Sequence, residues 1–301
     1  MSFRLVIPIL LSLFIFSPVA QAFQGHVQSF GKEGAIAWGN GELSVVQAVE
    51  KSNDEATPYT PLAVRKAASK ARRLLLDMVL TTRISAKQTV GSALADNRVL
   101  GSQVRGLVHN SLFQGPSHLD AEGTVLVSER FRGKLAELIL PTTIQFQSGI
   151  SPKLSTYMEQ DVTELEAVGS AVTGYSGVII DARGMKVTPA LTPVIYGSEG
   201  LGAYGAFLVS RANAVNKGVV AYANTSDLAV LKERVGNNPL RVKAVRAYGS
   251  WRTDIIIETS MARLVRAIMK SGNIVANCAV VIVVDEAAPV ETLETVETES
   301  E

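Results

Sequence analysis

Residues 274–284 read IVANCAVVIVV, an apolar run without a charged side chain. Such a run is typical of a strand that is covered on both faces, as the central strands of a sheet are. It follows residues 260–271, in which apolar side chains recur three and four positions apart, the spacing of an amphipathic helix. Gly272 is placed to end that helix. This part of the chain therefore predicts a helix that leads into a central strand.

Shorter segments before this run also have strand character. They are residues 176–181, 191–196, 240–248 and 254–257, which are rich in β-branched and other apolar residues. Residues 227–234 predict a short helix that ends at Gly236, and residues 197–205, with four glycines, predict a loose loop or a hairpin. Together these elements predict an α+β domain over residues 172–285.

The N-terminal half has its own helix and strands. We expect residues 24–32 to be flexible and residues 34–38 to form a short strand. A long helix should begin at Pro61 with Thr60 as its cap, because alanine, leucine and methionine recur at helical spacing after it. Residues 103–113 and 123–138 read as two extended segments. The simplest packing is a helix that crosses a small antiparallel sheet.

The fold class predicted for the whole chain is α+β. We expect two small domains, residues 23–145 and 172–285, each with a helix packed on a mostly antiparallel sheet. Polar residues 146–171 read as a linker. Residues 286–301 read as a disordered acidic tail, because residues 285–301 contain seven acidic side chains and no basic one. The tail would serve solubility or an interaction, and the sequence leaves both open.

The first 22 residues predict a secretory signal peptide. Arg4 precedes an apolar run of about 15 residues, shorter than the roughly 20 that a spanning helix needs. Ala20-Gln21-Ala22 has the small-x-small pattern that signal peptidase cleaves. Cleavage after Ala22 predicts a periplasmic protein without a transmembrane helix. No cysteine stands at the cleavage site, so a lipid anchor of the lipoprotein type is not expected.

Catalytic and metal-binding patterns are weak in this sequence. The three histidines are His26, His109 and His118. His109 and His118 could approach Asp120 across a hairpin, but zinc usually takes three or four protein ligands. Cys278 is the single cysteine and reads as a small buried hydrophobic residue. No Gly-x-Ser-x-Gly nucleophile motif occurs. We therefore predict no enzyme activity, no catalytic residue, no metal and no cofactor.

Two groups of charged residues are candidates for an interaction site. Asp181 and Arg183 flank a turn, where such a pair is either reactive or, more commonly, orders the turn. Arg241, Lys243 and Arg246 alternate along a predicted strand and form either a solvated face or an anion-binding surface. Because aromatic residues beside them are few, we do not expect nucleic-acid binding.

The C-terminal half resembles a domain of uncharacterised bacterial envelope proteins. The resemblance is carried by SGVIIDARG at residues 176–184, PALTP at 189–193 and RVGNNPL at 234–240, and it continues through Lys243-Ala244. It ends with TDIII at residues 253–257 and VVIVVD at residues 280–285. The order and spacing of these segments are similar over residues 172–285.

The N-terminal half resembles the domain of the flagellar basal-disk and FlgP-type outer-membrane lipoproteins. The supporting segments are residues 35–41, the helix around residues 67–76 and the hairpin through Gly133. This resemblance implies a structural protein that assembles near the outer membrane, and it supplies no catalytic residues. The chain would be a non-lipidated form of that family.

Three functional hypotheses follow. The first is a non-enzymatic periplasmic structural protein that self-associates or docks on a cell-envelope machine such as the flagellar basal structure, with peripheral outer-membrane association. The second is a binding protein for a glycan or anion, using residues 197–205 and the basic strand. The third is a hydrolase with a site around Asp181 or His109.

Overall fold

The computed structural model describes residues 23, 25–53, 58–116, 123–141, 174–270 and 272–286. The predicted signal peptide, the predicted linker and nearly all of the predicted tail lie outside these residues. The strands of the first sheet are β1 Val27–Phe30, β2 Gly34–Ala37, β3 Glu42–Ala48, β4 Leu112–Gln114 and β5 Thr124–Arg130. The helices of this region are α1 Pro61–Thr81, α2 Val90–Ala95, α3 Arg98–His109 and α4 Lys134–Ile139.

Helix α1 packs across the first sheet, as predicted. The sheet is five-stranded and antiparallel, with strand order β1-β2-β3-β5-β4. The Thr60 hydroxyl accepts a hydrogen bond from the Ala63 N–H, and Pro61 opens the helix. Ala71, Leu75 and Met78 face the sheet, and their small or flexible side chains allow close packing. The predicted start and the predicted apolar stripe of this helix are both confirmed.

Three predictions in this region are wrong. Residues 24–32 include strand β1 and the buried His26 rather than a flexible segment. Most of residues 103–113 belong to helix α3, because Asn97 caps it and Val104 and Val108 lie one turn apart on a buried face. Residues 123–138 divide into strand β5 and helix α4 at Gly133, which has a positive φ.

The second sheet is seven-stranded and mixed. Its strands are β6 Gly177–Asp181, β7 Ile195–Gly197, β8 Gly202–Tyr204, β9 Ala221–Ala223, β10 Pro239–Tyr248, β11 Asp254–Ile257 and β12 Val280–Val283, in the order β8-β7-β11-β10-β6-β12-β9. Its helices are α5 Arg211–Lys217, α6 Leu228–Val235, α7 Thr259–Met269 and α8 Asn273–Asn277. The α+β class is confirmed.

The expected mostly antiparallel pairing holds for the first sheet only. In the second sheet, four of the six strand pairings are parallel. Strands β6, β9, β10 and β12 run in one direction because helices and irregular segments connect them, whereas tight hairpins join β7 to β8 and β10 to β11. Strands β6, β9 and β12 are almost entirely buried, as parallel strands usually are, whereas β10 alternates buried and exposed residues over its first half.

The apolar run at residues 274–284 is only partly a strand. Its first half forms the short helix α8, which ends at Cys278 with a left-handed backbone, φ 49°. The strand is β12, and it lies between β6 and β9 as a central, two-sided strand should. Periodicity could not separate these parts, because an apolar residue at every position fits a buried helix and a buried strand equally.

The two sheets share one hydrophobic core. Trp38, after β2, stacks on Phe131 of the first region with ring centroids 6.2 Å apart. It also meets Tyr222 of strand β9 edge-on, with centroids 5.6 Å apart. The His26 N–H donates to the Tyr222 carbonyl at 2.8 Å. Thr192 donates to the Ile84 carbonyl through its N–H at 2.8 Å and its hydroxyl at 2.6 Å.

Candidate functional site

The carboxyl ends of the parallel strands bring together part of the predicted site. Asp181 is the last residue of β6, and it lies level with Lys243 of β10 on one side and Val283 of β12 on the other. Val283 in turn pairs with Ala223 of β9. The carboxyl edge of a parallel sheet is where open α/β sheets commonly hold ligands, because the loops there converge.

Asp181 and Arg183 form the predicted ion pair. The Arg183 Nε donates to Oδ1 of Asp181 at 2.9 Å, and its Nη2 donates to Oδ2 at 2.5 Å. The Arg183 N–H also donates to Oδ1, at 3.2 Å. The hydrogen bonds from Arg183, more than any other contact, hold the pKa of the Asp181 carboxyl below its ordinary value. Asp181 is therefore an anion at neutral pH.

Asp285 closes the same turn from strand β12. Both of its carboxylate oxygens accept a hydrogen bond from the Gly184 N–H, each at 2.9 Å. Two carboxylates thus hold the turn after β6: that of Asp181 bonds to Arg183, and that of Asp285 bonds to the Gly184 N–H. Such bonding orders a turn, and it places no nucleophile and base within reach of one another.

Arg241, Lys243 and Arg246 lie on one face of the second sheet, which we name the basic strip. Arg241 and Lys243 alternate with core residues of β10, so they point away from the core. A bulge at Val245 shifts the register, and Arg246 pairs with Ile256, whose neighbours Ile255 and Ile257 face the core. Arg246 therefore returns to the face of Arg241 and Lys243.

The strip is open to solvent, but two of its three side chains have local contacts. All three residues are exposed. The Arg241 Nη1 donates to the Ser226 carbonyl at 2.9 Å. The Arg246 guanidinium lies 5.4 Å from the centroid of the Tyr248 ring. Helix α6 covers the same face beside β6 and β12, so the basic strip occupies the exposed part next to that helix.

The two histidines that the structure describes, His26 and His109, do not form a common site. His26 is buried, and its Nδ1 lies 2.7 Å from the Asn224 Oδ1. Burial lowers the pKa of the His26 imidazole, while the hydrogen bond to Asn224 opposes that shift. His109 is the last residue of α3. His118 and Asp120 lie outside the described residues. In the part of the chain that the structure describes, no three His, Cys, Asp or Glu side chains converge on a metal site.

Three cations, Arg132, Lys217 and Arg234, form a cluster around Cys278 that sequence reasoning missed. The Arg234 guanidinium donates to the carbonyls of Lys217 at 2.6 Å and Gly218 at 2.9 Å. The Lys217 ammonium donates to Asn277 Oδ1 at 2.9 Å. Arg132 donates to the Gly39 carbonyl at 2.8 Å, and burial, followed by Arg234, lowers its pKa to about 10. These residues are far apart in sequence, so no local motif could reveal them.

The predicted burial of Cys278 is confirmed, and its surroundings do not favour a reactive thiol. The side chain is fully buried, and its Sγ lies 3.7 Å from the Val275 carbonyl. Burial raises the pKa of the thiol, although Arg234, Lys217 and Arg132 act in the opposite direction. A buried thiol with a raised pKa is a poor nucleophile, because the thiolate is the reactive form.

The residues at 197–205 form the β7–β8 hairpin, and its glycines serve packing. A Cβ atom at Gly202 or Gly205 would lie 2.9 Å from the Phe207 ring, and one at Gly197 would lie 2.8 Å from the Ala262 Cβ. The strand residues on both sides of the hairpin turn are buried. These contacts leave the glycines no free space for a phosphate-binding loop.

The first sheet has a second face that the sequence analysis did not single out. Helix α1 covers the face that carries Val45 and Val127. The side chains that alternate with these core residues form the opposite side, which we name the outer face. On strands β2 to β5 it includes Ala35, Ser44, Val46, Leu112, Leu126 and Ser128. The alternation that identifies the buried set identifies this set as well.

Part of the chain is similar to a known protein family. Residues 177–286 match the family model of the second domain of Treponema pallidum Tp0624. The matched residues include every strand of the second sheet, from β6 to β12. No curated protein matches the chain. Among the described residues, no helix is both long enough and apolar enough to cross a membrane.

Proposed function

We propose that this chain is a non-enzymatic structural protein of the bacterial cell envelope that self-associates or docks on an envelope machine. The observation that carries the proposal is the outer face of the first sheet. Leu112 is 81% exposed and Val46 is 44% exposed on this face. An exposed sheet face of a monomer normally carries many charged side chains, whereas this one is mostly apolar or hydroxylic.

The charged residues of the second sheet support the same proposal. Asp181 is paired with Arg183, and Asp285 accepts a hydrogen bond from the Gly184 N–H, so these charged groups order the turn after β6. The sequence features of an exported, non-lipidated protein add the location. We propose a periplasmic protein, cleaved after Ala22, with peripheral association at the outer membrane. The flagellar basal structure is the candidate machine, on the basis of the resemblance in residues 35–41 and 67–76.

Three measurements, on purified protein and on the producing bacterium, test the proposal. Sedimentation velocity over a range of concentrations should show a rising weight-average sedimentation coefficient. Crosslinking in intact cells should give a reproducible product with the same chain or with one envelope component. N-terminal sequencing of the periplasmic form should begin at Phe23. A protein that stays monomeric at the highest concentration and gives no crosslinked product would contradict the proposal.

The second candidate function is anion or acidic-glycan binding at the basic strip. The observation in its favour is that Arg241, Lys243 and Arg246 share an exposed face, and that Asp181, the carboxylate level with Lys243, is already paired with Arg183. A ligand that binds only the folded protein raises its melting temperature. Inorganic phosphate or an acidic oligosaccharide should therefore stabilise the native protein, and the double variant R241E/R246E should lose that stabilisation. An unchanged shift in the variant would exclude this site.

A further inference from the structure

The outer face of the first sheet is arranged in rows across its strands. The register places Ala35 of β2, Ser44 of β3, Ser128 of β5 and Leu112 of β4 side by side in one row. Residues directly opposite in antiparallel strands point to the same face, so all four side chains lie on the outer face. The row continues to Ser29 of β1 beside Ala35, and its largest side chain, Leu112, is at the opposite end.

A second row contains the two charges. Glu42 of β3 lies directly opposite Arg130 of β5, one row from Ser44 and Ser128. No ion pair joins them among the contacts of the described residues, and Arg130 is exposed. The third row, on the other side of Ser44, holds Val46 opposite Leu126, with Gln114 of β4 beside Leu126. The face therefore has an acid and a base at one end and an apolar pair beyond the serines.

This pattern is complementary to itself. A two-fold axis that runs parallel to the strands, midway between β3 and β5, exchanges those strands and keeps each row at its own level. Glu42 would then lie over Arg130 of the second copy, and Arg130 over its Glu42. Val46 would lie over Leu126, Ser44 over Ser128, and Leu112 over the small Ala35. The two charges, the apolar pair, and Leu112 with Ala35 therefore face complementary groups under this one operation, whereas Ser29 and Gln114 lie outside these matched pairs.

We infer that the outer face binds the same face of a second copy of this chain, about that axis. The inference rests on the proposed structural role and names its partner and interface. Two sheets pack face to face at about 10 Å when short and β-branched side chains interdigitate. An isologous contact of this kind closes at two subunits, because each copy uses the same patch.

The size of the face sets the expected affinity. Four strands about 4.8 Å apart, with up to seven residues at about 3.3 Å each, span roughly 400 Å² per copy. This is below the roughly 800 Å² per partner of standard stable interfaces, so the dimer should be weak and reversible. Sedimentation velocity should therefore extend from about 1 µM to several hundred µM, the range in which such interfaces dissociate.

A charge exchange tests the axis directly. The variants E42R and R130E each place like charges in contact at two symmetric positions, and each should weaken the dimer about tenfold or more. The double variant E42R/R130E restores opposite charges under the same axis, and its dissociation constant should return close to that of the native protein. A dimer formed in another arrangement would not show this recovery.

A matched pair of apolar variants tests the face. L112D introduces a charge where Leu112 would cover Ala35 of the second copy, and it should weaken the dimer about a hundredfold. V99D is the control, since Val99 is 70% exposed on helix α3, away from the outer face. Circular dichroism and thermal unfolding establish that every variant is folded before its association is measured.

The outcomes separate this inference from the proposed function. Self-association that is unaffected by the E42R, R130E and L112D variants overturns the interface and leaves the structural role intact. A native protein that is monomeric but still crosslinks to an envelope component in cells also overturns the interface and leaves the structural role intact. A monomeric native protein without any crosslinked product overturns both. Weakening by each single variant, recovery in the double variant and no effect of V99D support the interface.

Discussion

Asp254 is a buried carboxyl group without a counter-ion. It is 3% exposed, its Oδ1 accepts a hydrogen bond from the Val194 N–H at 3.1 Å, and Thr253 lies 3.5 Å away. No ion pair to it occurs among the contacts of the described residues. Burial raises its pKa to about 6, because two hydrogen bonds do not replace the water that a carboxylate loses.

This raised pKa predicts that the protein loses stability between about pH 4 and pH 6. Below that window Asp254 is protonated in both states. Within it the unfolded chain releases the proton and the folded protein keeps it, so the free energy of unfolding falls as the pH rises. The loss from this one group is about 3 kcal/mol.

The variant D254N isolates the effect, because an asparagine keeps the acceptor for Val194 and cannot ionise. Urea unfolding at pH 4 and pH 7 should show that the variant gains stability relative to the native protein at pH 7 and not at pH 4. Taking the difference between the two proteins removes the contribution of His26. The lowered pKa of that group acts in the opposite direction, since its stabilisation is lost as the pH falls below about 6.5. An identical pH dependence in both proteins would contradict the prediction.

Among the helices and strands, caps and turns were the most informative sequence signals. Thr60 and Pro61 predicted the start of α1, because the Thr60 hydroxyl accepts from a free N–H of the first turn and proline has no N–H to leave unpaired. Gly236 predicted the end of α6, because glycine readily takes the positive φ found there. Strand β11 has the predicted bounds, residues 254–257, because a hairpin turn precedes it and a helix follows it. Each of these signals acts within a few residues.

The errors arose where tertiary contacts decide the structure. Helix α3 contains two glycines and is stabilised by packing Val104 and Val108 into the core, so its local propensity is weak. The parallel pairing of β6, β10 and β12 joins residues far apart in sequence. Strand alternation made the shared face of Arg241 and Lys243 predictable, whereas Arg246 joins them only through the bulge at Val245. The cations around Cys278 come from parts of the chain that are far apart in sequence.

Strand β6 is the element least able to tolerate an added atom. A Cβ at Gly177 would lie 2.6 Å from the Val235 carbonyl oxygen and 2.7 Å from that of Ala279, and both are backbone atoms. G177A should therefore lower the free energy of unfolding by about 2–3 kcal/mol, the usual cost of overpacking a core. G106A is the matched control, because nothing lies within 4 Å of a Cβ there on helix α3.

G106A should raise the free energy of unfolding by about 0.5–1 kcal/mol, since alanine is a better helix former than glycine. Urea denaturation of the two variants beside the native protein measures both signs in one experiment. Equal effects of the two substitutions would mean that the carbonyls around Gly177 move apart easily.

At the scale of the whole molecule, the two sheets are joined by aromatic packing. Trp38 is 6% exposed between Phe131 and Tyr222, and Tyr222 bonds through its hydroxyl to the N–H and the carbonyl of Ala190, at 3.0 and 3.1 Å. These contacts connect the first sheet, strand β9 and the segment before β7. The hydrophobic core is therefore continuous from the first sheet to the second.

This shared core predicts that the described regions unfold as one cooperative unit. W38A should lower the free energy of unfolding by about 3–5 kcal/mol, the range for removing a large buried aromatic side chain. Hydrogen exchange should then show an equal loss of protection in β12, deep in the second sheet, and in β3 of the first. Global opening exposes both strands at once, so their slowest amides report the same free energy. If W38A lowered protection in β3 and left β12 unchanged, the sheets would be energetically separate despite their contact.

Y222F serves as the companion variant, because it keeps the ring packing against Trp38 and removes only the two hydrogen bonds to Ala190. It should cost about 1–3 kcal/mol and lower the protection of both strands by that smaller, equal amount.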